Sequence, residues 1–587
     1  YQVLKTTVPS ISPVAWSTFQ TGVNPGAHNI FDFLTRDKKT YLPVLSSTKT
    51  SPARKVLKLG KWRIPLSKPE LTLLRKSKPF WKILGENGIF CNVIRVPITY
   101  PPEKFNGNIL AAMCTPDLKG TQGTFSLYIS NGAGQVERTG GNQIRVGRKG
   151  DRIESYLEGP DDPTLKEKKP LKVPFTAKLN GKSNECSITV CGRTFPLKVD
   201  DLSDWVKITF KTSLGISVQG ICRFCLRQVE PHFELYASPI NIDPDSPALP
   251  VASPSYYSKY LAKLNGPFGT LGLMEDTWAL NEGALDEETF LKQAYLTHDE
   301  REKMFFDALD KTSEGVCVCV FDGTDRIQHT FWRYLEPDHP APKPNFDKFK
   351  YVIPELYVKM DDLIGRVMEK LKEEDVLFVL SDHGFKSFRR CVNLNTWLWK
   401  NGYMKLKEGR ITGRDYFGDV DWSGTKAFAI GMGAIFLNLK GREAQGIVDP
   451  SEAKALKQEI SSKLLQLTDS FNSSDSSNVI RKVLDAEETY TGPYKTEAPD
   501  LTIGWEEGYR ASWEGVTGRL KEPIIEDNTK AWSGDHCVDT DIVPGVFFSN
   551  RKIEKGIPRM VDIAPTILGV FDVKKPAYID GAPLPLK

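Results

Sequence analysis

Two apolar runs that each end in aspartate, VCVCVFD at 316–322 and VLFVLSD at 376–382, constrain this chain more than any other feature. Each is apolar at consecutive positions, the pattern of a strand covered on both faces. Between them Leu356, Met360, Leu363, Ile364, Val367 and Leu371 recur at three- and four-residue spacing, which predicts an amphipathic helix. Strand, helix, strand is a βαβ unit with a parallel pairing. Open α/β sheets bind ligands beyond the carboxyl ends of their strands, and Asp325, His329, Asp382 and His383 all fall there. Further helices are expected at 78–86, 287–310 and 450–467.

From about 120 to 238 the pattern changes to period two. In VKITFK, Val206, Ile208 and Phe210 alternate with Lys207, Thr209 and Lys211. Gly-rich turns such as NGAG, TGGN and LNGK separate the pieces. The chain therefore reads as an α/β core in two parts, 1–119 and 239–587, with a mainly antiparallel β insertion at 120–238. DPDSPALPVASPS at 243–255 is the linker back to the core, and SFNSSDSSN at 470–478 is a short low-complexity loop.

The length of 587 residues allows two to four domains. Lys plus Arg total 78 against 74 Asp plus Glu, a net charge of +4. The charges are mixed along the chain, which argues against a dedicated nucleic-acid binder. No apolar run approaches the ~20 residues of a membrane span. Ten cysteines without regular spacing read as scattered thiols, so the expected compartment is the cytoplasm. The chain starts at Tyr1 without a signal-like segment and is inside a motif by residue 9, so it reads as truncated.

Three of the seven histidines stand beside aspartate at chelating spacing: Asp325 and His329 in FDGTDRIQH, Asp382 and His383 in LSDHGF, and His536 in SGDHC. Asp325 and His329, four apart, share a face if Asp325 opens a helix. Mixed carboxylate and imidazole donors suit zinc, with manganese as the alternative. Ser12 precedes Pro13 and the periodic apolar residues Val14, Trp16 and Phe19, a pattern that predicts Ser12 as the N-cap and Pro13 as the first residue of a helix. Ser12 is then either a plain cap or a nucleophile at a positive helix end, where backbone N–H groups and a metal bind phosphate.

These motifs resemble the alkaline phosphatase superfamily and, within it, the type I phosphodiesterase/nucleotide pyrophosphatase family. PSISPVAWSTFQTGVNPGAHNIFDF resembles the nucleophile block with Ser12 as nucleophile, DRIQH the Asp-x-x-x-His motif, SDHGF a nearly superfamily-wide motif, and His536 the late metal-binding histidine. The resemblance implies an α/β/α three-layer core with a mostly parallel sheet. It implies two divalent metal ions, one held by Asp382, His383 and Ser12 and the other by Asp325, His329 and His536. It also implies hydrolysis of a small phosphorylated or nucleotide-like substrate through a phosphoserine. The chain departs from the family pattern in three places: the first ligand aspartate, on a strand before the nucleophile, has no counterpart here; Ser12 stands where Thr is usual; and Phe33 stands where an Asn contacts the phosphoryl oxygen.

A phosphomutase resembling the cofactor-independent phosphoglycerate mutases is the alternative, and a non-catalytic binder on a hydrolase scaffold a third reading. A sulfatase is disfavoured because its Cys/Ser-x-Pro-x-Arg signature is missing around Ser12. Cys222 and Cys225 alternate to opposite faces of a strand and cannot share a metal. Asp322 and Asp535 are candidate partners for the ligand histidines. Lys386, Arg389 and Arg390 read as a solvated face, and His28, His232, His298 and His339 receive no role.

Overall fold

The run at 316–322 forms the strand Val316–Cys319, which pairs in parallel with Cys91–Ile94, itself parallel to Gly107–Leu110; Ala252–Ser253 closes that sheet antiparallel. The computed structural model describes residues 1–587 apart from 131–139, 181–183, 471–476 and 555. NGAG, part of TGGN, part of LNGK and most of SFNSSDSSN lie outside the described residues. Two compact units divide the chain, one of Tyr1–Ser47, Leu74–Asn87 and Gln328–Lys587, the other of Thr48–Leu73 and Gly88–Ile327.

In the first unit the run at 376–382 departs from expectation. Phe378–Leu380 is a half-buried strand of three residues that pairs antiparallel with Gly545–Ser549, whose other edge takes Gln2–Leu4. A consecutive apolar run marks a covered strand but not the direction of its neighbour. The helix between the runs is present as Val352–Met368, with Leu356, Leu363 and Val367 buried as their spacing requires. A second sheet, Ala427–Ile430, Ala434–Leu437, Leu501–Trp505 and Ile480–Asp485, is antiparallel throughout. Phe428, Phe436 and Trp505 fill its core against Ile460 and Leu464 of the helix Ala453–Leu464. A third sheet is mixed: Lys386–Val392 runs parallel to Gly508–Ala511 and antiparallel to Ile525–Asp527 and Gly534–Asp535.

In the second unit every described element between 120 and 238 is a strand. Val206, Ile208 and Phe210 are buried and Lys207, Thr209 and Lys211 are not, the alternation that period two requires. The CxxC does not lie on one continuous strand. Ser217–Cys222 and Phe224–Gln228 are separate strands, and the two thiols enter different apolar clusters. The helix Glu287–Asp310 starts on Asp286, whose carboxylate accepts from the Thr289 N–H. The fold class is α/β with mixed sheets, and no helix among the described residues is long and apolar enough to cross a membrane.

Candidate active site

Ser12 does not cap its helix. The N-cap is Ile11, extended at φ −115°, and Ser12 is the first residue of the helix Ser12–Thr21, with no side-chain capping bond at that end. The pattern places the start one residue late because Pro13, which lacks an N–H, is tolerated at either of the first two helical positions. The buried Ser12 Oγ lies 3.1 Å from Nε2 of His383.

The segment before Ser12 ties it to two other motifs of the first unit. Thr6 Oγ1 donates to the carbonyl oxygen of Asp382 at 2.6 Å. The Ser10 hydroxyl reaches the carbonyl oxygens of His536 and Val538 at 2.7 and 2.9 Å, and the Ser10 carbonyl accepts from Nδ1 of His536 at 2.7 Å.

Asp382 and His383 follow the strand Phe378–Leu380, and the Gly384 N–H donates to the Val543 carbonyl at 2.9 Å. A Cβ on Gly384 would lie 2.7 Å from the Pro544 carbonyl oxygen, so the glycine of SDHGF permits this close approach. Gly534 does the same beside His329, where a Cβ would meet the Gln328 carbonyl oxygen at 2.7 Å.

All three candidate histidines commit Nδ1 to a backbone carbonyl. His329 donates to Gly534 at 2.7 Å, His383 to Gly384 at 3.1 Å and His536 to Ser10 at 2.7 Å. A neutral imidazole that donates from Nδ1 carries its lone pair on Nε2, the tautomer a metal ligand needs. The His383 and His536 rings stack with centroids 3.5 Å apart, and Trp532 stacks on His329 at 3.6 Å. Asp382 Oδ2 lies 3.2 Å from His383 Nε2 yet accepts no hydrogen bond among the described residues. Two lone-pair donors at that separation with no proton aimed between them, and a hydroxyl 3.1 Å away, fit a divalent cation.

Asp325 stands in the first turn of the helix Gly323–Phe331, and His329 four residues on. Its carboxylate lies within 4.8 Å of a His329 ring nitrogen, and one of the His329 nitrogens lies equally near one of His536. Asp535, His536 and Cys537 form a further trio of close donor atoms. That trio is a poor ligand set, because Asp535 is already engaged. Its Oδ2 accepts from Arg510 at 2.6 Å and Trp532 Nε1 at 2.8 Å, its Oδ1 from the N–H groups of His536 and Cys537. Burial alone would raise the Asp535 carboxyl, but Arg510, the His329 and His536 rings and the Cys537 N–H hold it well below the ordinary value; burial drives the Cys537 thiol well up.

Asp535 is therefore the acid beside the histidines that the SGDHC motif points to. Asp322 instead pairs with Arg301 at 3.1 Å. Lys386, Arg389 and Arg390 pair with Glu507, with Glu336 and Asp338, and with Asp469 and Asp527. His28 is a core residue against Thr18, lowered to about 3 by burial and Arg75. Sequence reasoning missed Ser10 and Trp532. Ser10 acts through a carbonyl and a hydroxyl that any chain offers, and nothing local marks Trp532 as the platform for His329.

Residues 1–147 and 243–529 match the model of the family described as type I phosphodiesterase / nucleotide pyrophosphatase. The chain belongs to that family. Curated protein sequences return no match. Among solved structures, a multiple mutant of alkaline phosphatase PafA is similar over 99% of this chain and 90% of its own, at 12% identity and a TM-score of 0.38. Phosphonoacetate hydrolase from Sinorhizobium meliloti 1021, solved with phosphonoformate, is similar over 97% and 86%, at 10% identity and a TM-score of 0.38. Wild-type PafA is similar over 49% of this chain at 15% identity and a TM-score of 0.26, and the match spans 52% of that chain.

Proposed function

We propose that this family member is a metal-dependent hydrolase of phosphate esters, acting on diesters or pyrophosphates of small nucleotide-like molecules in preference to monoesters. The observation that carries the reading is the common tautomer of His329, His383 and His536, which turns Nε2 of each toward ligation, together with Ser12 Oγ beside His383. Asp382, His383 and Ser12 would hold one divalent ion, and Asp325, His329 and His536 the other, zinc or manganese by their donors. The ions would supply the charge that lowers the pKa of the attacking hydroxyl and water and neutralises phosphate oxygens.

Ser12 Oγ gives its proton to solvent and attacks phosphorus; the P–Oγ bond forms as the P–O bond to the leaving group breaks, and that oxygen takes the electron pair. Water then attacks the phosphorus held on Ser12, the P–Oγ bond breaks, Oγ regains a proton from the water, and a phosphate or monoester is released. The three Nδ1 anchors keep the rings from rotating during both steps. Residues 120–238 are proposed as an inserted domain between core parts 1–119 and 239–587, and the cytoplasm as the compartment.

The test is hydrolysis of bis-p-nitrophenyl phosphate by zinc- or manganese-loaded protein, with mass spectrometry of acid-quenched reactions. Metal-dependent turnover and an added p-nitrophenyl phosphoryl group on the peptide containing Ser12 are expected. Turnover without modification of that peptide would replace Ser12 by direct attack of water, and conversion of a phosphorylated polyol into its positional isomer, with no phosphodiester turnover, would favour the mutase.

A further inference from the structure

Charge is unevenly placed in this chain. Residues 48–73 hold seven lysines and arginines against one acid, a net +6, while the entire chain carries only +4. The acid, Glu70, is itself paired with Arg54.

This segment contains the hairpin Val56–Leu59 and Trp62–Pro65, whose register sets Leu57 opposite Ile64, Leu59 opposite Trp62, and Lys58 opposite Arg63. Alternation then puts Leu57, Leu59, Trp62 and Ile64 on one face and Lys58 and Arg63 on the other. The first strand's half of this face is open, with Leu57 50% and Leu59 65% exposed and Leu66, just beyond, 64%, while Trp62 and Ile64 are half-buried. The hairpin is also held in place. Its second strand bonds to a neighbouring loop, Arg63 N–H to the Thr164 carbonyl at 2.8 Å and Lys166 N–H to the Lys61 carbonyl at 3.1 Å. That loop adds exposed Lys166, Lys168 and Lys169 against exposed Asp161 and Glu167. It also walls a cavity of about 220 Å³ lined by Lys169 and Lys172. Asp162 in the same wall is turned to the Thr164 and Ser213 N–H groups, at 2.9 and 2.7 Å.

We propose that this hairpin docks the protein on an anionic lipid surface, with Leu57, Leu59 and Leu66 entering the interface and the flanking lysines meeting headgroup phosphates. A soluble polyanion would use only the basic half of this surface, because exposed leucines gain nothing from a charged polymer in water. Reversible membrane attachment uses this pairing of a small apolar insertion with a basic patch, each too weak by itself.

The test is sedimentation of the full chain with phosphatidylcholine vesicles, with and without phosphatidylserine. Binding is expected only with phosphatidylserine, weakening as salt rises. Leu57→Ser with Leu59→Ser, and separately Lys55→Glu with Lys61→Glu, which flank the hairpin strand and its turn, should each weaken it about tenfold or more, since one cation near such a surface is worth about fivefold. Both double variants should keep the wild-type melting temperature and turnover of a soluble aryl phosphodiester. No binding at low salt, or undiminished binding by the leucine variant, would overturn the proposal. So would equally tight binding to soluble polyglutamate, which would identify an acidic protein as the partner.

Discussion

Ser12 Oγ lies 3.1 Å from Nε2 of His383, a ring whose other nitrogen is held by the Gly384 carbonyl. The serine is thus spent on neither its helix nor the backbone. Ser12→Ala should lower turnover of an aryl phosphodiester by several orders of magnitude. Stability should change by no more than about 1 kcal/mol, the worth of one buried hydrogen bond. Paired kinetics and thermal melts check both. A large fall in melting temperature would return Ser12 to a structural role.

Each histidine should account for metal. His329→Ala and His536→Ala remove an imidazole held by one backbone carbonyl, and a site short of one donor binds weakly. Elemental analysis of each variant should show about one equivalent less than wild type. His536→Ala should also lose the bond to the Ser10 carbonyl and loosen the segment that leads into Ser12. His329→Ala, without that bond, should lose metal while leaving the segment's hydrogen-exchange protection intact.

The candidate site was legible in the sequence where it is local. Asp382 with His383 and Asp325 with His329 are neighbours in sequence, so spacing alone discloses them. The α/β class followed from the same apolar runs, and the helix Glu287–Asp310 has the bounds its periodicity predicts. The direction of Phe378–Leu380 did not follow, because its partner Gly545–Ser549 comes about 170 residues later and the same run serves either pairing. Ser10 and Trp532 were hidden for a related reason. Ser10 meets His536 across 526 positions, a contact made by tertiary packing alone.

The buried pair Arg510 and Asp535 supports the loop that carries His536. Their side chains are 0% and 1% exposed and 2.6 Å apart. Asp535→Asn would leave the Arg510 charge buried without its counterion, a loss of about 3–5 kcal/mol. Because the folded carboxyl is held below its ordinary value of 3.8, this stability is fully present above pH 3.8 and is lost as pH falls through the folded value. Urea denaturation of wild type and variant should therefore give a constant gap from pH 8 to about pH 5 and a narrowing one below about pH 4. A gap that closed near pH 6 would tie the effect to histidine instead.

His28 should set an acid limit on the fold. It is fully enclosed, with Nε2 3.0 Å from Thr18 Oγ1 and Nδ1 accepting from the Ile30 N–H at 3.2 Å, so it is a neutral ring with both nitrogens used. Burial and the Arg75 charge lower it from 6.5 to about 3. The unfolded chain therefore binds a proton below pH 6.5 that the folded one refuses, and stability falls as pH drops from 6.5 toward 3. At about 1.4 kcal/mol for each pH unit, the loss reaches roughly 4 kcal/mol at the acid end. Proton NMR should show the His28 ring still neutral at pH 5, and His28→Gln should flatten the stability profile between pH 6 and about pH 4 while lowering it at neutral pH. A His28 titration near pH 6.5 would contradict the enclosure from which this prediction starts.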